Sequence, residues 1–224
     1  MKALIKTAPL AVAMTLLLAT CSDNATGPND LGGDPNIEVA KVGGNFGVSL
    51  QIGEKYYDKI KDSVVITGNN TGIVTVRVYV DISAYPELSA LVPAEYKDAE
   101  GNVNTEVKLR ATSAGIQTFY RDDPALAKPF TLAKYDDNVG AAYSFTRSDG
   151  STVTRTVTEK TGKDEFPIGF LLIKTLLVEQ SNSTFPGVSK IFFRVNHKFG
   201  LVWVQFLLSD GATKATLRIY PPNL

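Results

Sequence analysis

Few side chains in this sequence could do chemistry. The chain holds one cysteine, Cys21, and one histidine, His197. A single thiol excludes an intramolecular disulfide, a CxxC redox pair and a cysteine zinc site, and a single imidazole excludes any metal site built on two. Base catalysis by His197 would need a nucleophile or an orienting carboxylate beside it, and its place in His197-Lys198-Phe199-Gly200 reads as an exposed turn. Carboxylates gather at Asp122-Asp123 and Asp136-Asp137-Asn138, but adjacent aspartates diverge, and neither group has the alternating Asp-x-Asp spacing of a calcium loop. Glu159, Glu165 and Glu179 are the acids a glycosidase could pair if the fold brought two of them together. No Gly-x-Ser-x-Gly elbow occurs, and the turn Gly68-Asn69-Asn70-Thr71-Gly72 lacks the Lys-Ser or Lys-Thr of a phosphate loop. The sequence therefore assigns no catalytic residue, no cofactor and no metal, and an enzyme is not expected.

The surroundings of Cys21 say more. Lys2 and Lys6 form a positive leader, Leu10 to Ala19 a short apolar run, and Leu18-Ala19-Thr20-Cys21 follows where a signal peptidase would cut. The run is roughly half the ~20 residues a transmembrane helix needs. This arrangement resembles that of bacterial lipoproteins, with Leu18, Ala19 and Cys21 matching and Thr20 standing where Gly, Ala or Ser is usual. The resemblance implies that the Cys21 thiol carries a diacylglycerol and the new amino terminus a further acyl chain. At roughly 0.8 kcal/mol per buried methylene, two or three chains make release negligible. Ser22 rather than Asp follows the cysteine, which in such lipoproteins implies the outer membrane over the inner.

Loss of residues 1–20 leaves 204 of the 224 residues, enough for one sizeable core or two small ones. The 23 basic and 23 acidic residues balance, and without Lys2 and Lys6 the basic count falls to 21, a net charge of −2. No basic excess draws nucleic acid or anionic lipid. Residues 21–36 are rich in Gly, Pro, Asp and Asn with almost nothing apolar after the cysteine, and read as a flexible tether. Residues 37–224 read as the folded domain, with a possible subdivision near 120.

The elements that must position any site are strands. Phe46, Val48, Leu50 and Ile52 alternate with polar or small residues, as do Val74, Val76, Val78, Val80 and Ile82. Hairpins are expected around Gly68–Gly72, around Ser148-Asp149-Gly150-Ser151 and around Ser209-Asp210-Gly211, and another turns at His197–Gly200. Ile168 to Val178 and Leu201 to Leu208 are apolar on both faces, so each should lie between two covering layers. The expected fold is all-β: an antiparallel β-sandwich or a partly closed barrel built from hairpins, with at most one short helix at Pro86 to Val92. From Thr131 onward the spacing of Tyr143-Ser144-Phe145, Val139-Gly140 and Gly200-Leu201-Val202 is similar to that of uncharacterised β-rich envelope lipoproteins, a resemblance that brings no catalytic residues.

Aromatic side chains are the remaining candidates. Trp203 shares its spacing with Leu201 and Leu207 and is expected in the core. Tyr56, Tyr57, Tyr85 and Tyr96 fall in loops or strand ends and form the candidate binding surface, able to stack on a sugar or grip a partner. The expectation is a lipid-anchored, non-catalytic envelope protein that binds an envelope protein or glycan or acts by structural association, on the periplasmic or the surface side. A carrier of an apolar ligand such as lipid, with Phe170, Leu172, Phe193 and Val204 lining its cavity, is the alternative, and a glycan hydrolase the third reading.

Overall fold

The computed structural model describes residues 31–57, 61–86, 89, 92, 94–119, 129–147, 149–182 and 187–222. Cys21 and its leader, Leu88, Leu91 and Asp122-Asp123 lie outside these residues. The described strands are β1 (Asn45–Ile52), β2 (Lys55–Tyr57), β3 (Asp62–Asn70), β4 (Ile73–Val80), β5 (Val103–Thr112), β6 (Gly115–Thr118), β7 (Phe130–Lys134) and β8 (Ala142–Thr146). They continue as β9 (Thr152–Lys160), β10 (Phe166–Ile168), β11 (Leu171–Ile173), β12 (Leu176–Ser181), β13 (Val188–Asn196), β14 (Gly200–Leu208) and β15 (Lys214–Tyr220). Two 3-10 turns, Glu38–Ala40 and Ala94–Tyr96, interrupt them, and Pro86 and Ser89 lie in a helical turn where Ser89 N–H donates to the Tyr85 carbonyl.

Thirteen strands form one antiparallel sheet in the order β7-β6-β5-β4-β3-β1-β15-β14-β13-β12-β9-β8, with β2 attached to β1. Apart from the β2 and β10–β11 excursions and the pairing of the first strand, β1, with the last, β15, neighbours in the sheet are neighbours in sequence, so the chain winds up and down around a nearly closed barrel. β1 joins its halves: Asn45 and Phe46 pair with β3, then Gly47 to Ile52 pair with β15. No ladder links β7 to β8, and there the circuit stays open. The all-β expectation is met, and β6 pairs with β7 across the position near 120.

The barrel is flattened until its walls touch. One core joins Ile116, Leu132 and Ala133 of β6 and β7 to Val157, Leu176, Val178 and Val195 of β9, β12 and β13. A second joins Phe46, Ile66, Val74, Val76 and Ala111 to Ala40, with Ile219 packed against them. Such two-wall packing removes apolar area from water at about 25 cal/mol per Å².

Three expectations change. The run from Ile168 to Val178 is not one strand: Gly169, with φ of 54°, and Phe170 turn the chain into the separate hairpin β10–β11 before β12 begins. That hairpin covers the outer face of β14, where Ile168 and Ile173 pack on Val202, so β14 does lie between two layers. Trp203 faces this outer cluster rather than the central core, half-buried, with its ring 6.5 Å from Phe166 in a T-shaped contact. A bulge at Val202, between the pairs Arg194–Trp203 and Val195–Leu201, shifts the alternation by one residue and separates Trp203 from the face of Leu201.

The third change concerns the segment expected as the end of the tether. Leu31 is only 4 % exposed. Thr112 Oγ1 donates to the Gly32 carbonyl (2.7 Å), Asp34 N–H to Ser113 Oγ (2.9 Å) and Ser113 N–H to the Asp34 carbonyl (2.8 Å). Gly33, at φ of 81°, lies so close to the β5–β6 turn that a β-carbon on it would stand 2.7 Å from the Ala114 nitrogen. Residues 31–36 thus form an arm docked on the barrel. Polar composition does not prevent docking when turns supply the hydrogen bonds that the arm's backbone needs.

Candidate functional site

Strand direction gives the barrel two ends. The β3–β4, β5–β6, β7–β8, β9–β12 and β13–β14 connections all open at the end where the arm docks, the proximal end; the β1–β3, β4–β5, β8–β9, β12–β13 and β14–β15 connections open at the other, the distal end. The candidate tyrosines belong to the distal end.

β2 pairs with β1 through Leu50–Tyr57, Gln51–Tyr56 and Ile52–Lys55. Alternation then places Lys55 and Tyr57 on one face and Tyr56 on the other. Tyr57 is 5 % exposed and packs with Ile82, Leu50 and Val103. It meets Tyr85 edge to face, ring centres 5.1 Å apart. Lys55 Nζ stands 4.9 Å from the Tyr57 ring and 6.0 Å from that of Tyr85, within the range where a ring face attracts an ammonium. Tyr57 is therefore a packing residue, a correction to its place on the binding surface: its face of β2 is the one turned to the apolar cluster. Tyr85 is half-buried beside it, and Tyr96 is half-buried in its 3-10 turn. Tyr56 is 66 % exposed and presents the phenol to solvent. The corner thus offers one exposed aromatic ring on a strand held in place by its buried neighbour.

The acids are engaged elsewhere. Arg194 grips Glu159 in a two-pronged ion pair (Nη1–Oε1 2.8 Å, Nη2–Oε2 3.1 Å), which holds the Glu159 carboxyl below its ordinary range. Lys190 pairs with Glu179 at 2.6 Å, and Glu165 is exposed. Asp137 accepts the Tyr143 hydroxyl at 2.8 Å and the Lys134 amide at 3.0 Å. Burial first, and then the Asp137 carboxylate, push Tyr143 above the usual phenol range. His197 is exposed in its turn. The four expected cavity residues separate: Phe170 and Leu172 are 81 % and 59 % exposed on the outer hairpin, whereas Val204 is 8 % exposed and Phe193 packs against the central core.

One polar centre escaped the sequence reading. Arg155 is 2 % exposed, between the two walls. Its Nε donates to Gln180 Oε1 (2.8 Å), its Nη1 to the carbonyls of Phe130 (3.1 Å) and Thr131 (3.3 Å), and its Nη2 to Thr118 Oγ1 (3.0 Å). The guanidinium also lies 4.4 Å from the Phe130 ring centre and 5.6 Å from that of Phe193. It ties β9 and β12 to β6 and β7 near the open side of the circuit. The signal was present in the alternation of Val153, Arg155 and Val157, which puts the arginine on the apolar face.

No family model, curated protein or solved structure matches this chain. Its class is set by the fold alone: an all-β protein with a flattened, nearly closed meander.

Proposed function

We propose that this chain is a bacterial envelope lipoprotein, anchored through lipidated Cys21, that works without catalysis by holding an envelope protein or glycan at its distal aromatic corner. The observation that carries the reading is the apolar run ending in Leu18-Ala19-Thr20-Cys21. The arm supports it, because docked Leu31 stands only ten residues beyond the cysteine, and the candidate corner lies at the opposite end of the barrel. An anchor at one end and an exposed Tyr56 at the other suit a protein that presents a binding surface away from its membrane. Ser22 after the cysteine favours the outer membrane.

Metabolic labelling with an alkyne fatty acid tests the anchor. The wild-type chain is expected to take the label and sediment with membranes, and Cys21→Ala to do neither while remaining folded. A Cys21→Ala chain still in the membrane fraction would remove lipidation as the anchor. For the corner, a photo-crosslinker at Tyr56 is expected to capture a partner in cells, whereas one at Lys214 or Asp149 is not; equal capture at all three sites refutes a specific surface.

A further inference from the structure

We infer that the proximal end of the barrel docks on the bilayer that holds the anchor, with the β10–β11 hairpin entering the interfacial layer through Phe170 and Leu172. This rests on the proposed lipidation of Cys21. Several large apolar side chains of the described residues are exposed at this end. Phe170, at the hairpin turn, is 81 % exposed and Leu172 59 %; Val139, in the β7–β8 connection, is 60 % exposed, and Ile73, directly after the β3–β4 turn, 38 %. All four belong to the end where the arm docks, whereas Val107, 39 % exposed, lies midway along β5 and Tyr56 at the distal end.

The second observation is the chain outside the described residues. Leu31 is fixed at this end by its burial and by the bonds that hold Gly32 and Asp34. From Cys21 to Leu31 the chain can span at most about 35 Å even when fully drawn out, close to the length of a nine-residue strand. The attachment point therefore keeps the proximal end within reach of the headgroups. An apolar pair that would bind membranes weakly on its own is then held at high local concentration beside one, and weak insertion becomes an intramolecular step.

The hairpin is built for this. Its inward residues, Ile168 and Ile173, are 2 % and 5 % exposed against Val202, while Pro167 and Leu172, paired across the strands, face out. The same two short strands thus bury one apolar face and show another to solvent. Held beside a bilayer, such an outward apolar pair would bury itself at the boundary between headgroup and acyl chain, as the apolar face of an interfacial helix does.

The test uses the mature, lipidated chain in vesicles of phosphatidylethanolamine and phosphatidylglycerol carrying spin-labelled acyl chains. Since the lipid occupies the Cys21 thiol, Pro167→Cys or Lys214→Cys supplies a single site for an environment-sensitive fluorophore. The expected result is several-fold stronger quenching at 167 than at 214, and loss of that difference with Phe170→Asp and Leu172→Asp while the chain still floats with the vesicles. Flotation with equal, weak quenching at both sites overturns the docking, leaves the anchor in place and leaves the hairpin facing water or a protein. Failure to float overturns the anchor, and the docking with it.

Discussion

Replacing Arg155 by Met tests whether the two walls are joined by a polar clamp or by apolar packing alone. The substitution keeps an unbranched side chain of similar reach but removes every donor. Left behind are the carbonyls of Phe130 and Thr131, Gln180 Oε1 and Thr118 Oγ1, in a site where Arg155 itself is 2 % exposed. A buried acceptor without its donor costs on the order of 1 kcal/mol or more. Relief of the desolvation carried by the guanidinium offsets part of the sum. The net expectation is a loss of about 2 to 4 kcal/mol, since the clamp has several acceptors and only one desolvated cation. In urea, with a slope of about 2 kcal/mol per molar, the midpoint should fall by about 1 to 2 M. Arg155→Lys should fall between wild type and Met, because a point ammonium cannot reach Gln180 and the β7 carbonyls in one geometry. A midpoint shift for the Met variant below about 0.3 M would refute the clamp and assign the joint between the walls to the apolar core.

Leu31→Ala should cost about 2 to 3 kcal/mol, read by thermal or urea unfolding, and should speed exchange of the Ser113 amide that donates to Asp34; an unchanged midpoint would return residues 31–36 to the tether. Gly115→Ala should cost about 3 kcal/mol or more, because the new β-carbon would stand 2.2 Å from the Ala133 carbonyl oxygen and 2.9 Å from Leu31 Cδ1, and a wild-type melting temperature would refute that contact. The Glu159 carboxyl, held low by Arg194, stabilises the fold above the unfolded value of about 4.3, and that contribution is lost as pH falls through the lower folded value. An acid titration of thermal stability should therefore show a smaller drop in Glu159→Gln than in wild type, and identical curves would show the pair to be inert.

Much of the fold was legible because a strand writes its two faces into the sequence at a period of two. β1 and β4 were readable from alternating valines and leucines, and the β3–β4, β8–β9 and β14–β15 turns from their glycines, aspartates and asparagines. The reading failed where a local signal was interrupted. Gly169-Phe170 was lost inside an apolar run, and the bulge at Val202 broke a spacing that had put Trp203 in the core. Of the candidate tyrosines, residue type drew attention to all four, but only the register of β2 on β1 separated the exposed Tyr56 from the buried Tyr57.

The amino-acid sequence by itself determined the all-β class, the hairpin order and the small stock of reactive side chains, since each of these depends on residues near one another in the chain. Tertiary structure alone decided that the meander winds around to bring β1 against β15, that Arg155 joins the two walls, that residues 31–36 dock, and that Phe170, Leu172, Val139 and Ile73 share one end of the barrel. The physical reason is range. Alternation and turn chemistry act over a few residues, whereas a docked arm or a buried guanidinium depends on partners some 80 or 24 to 37 positions away, and no local pattern names them.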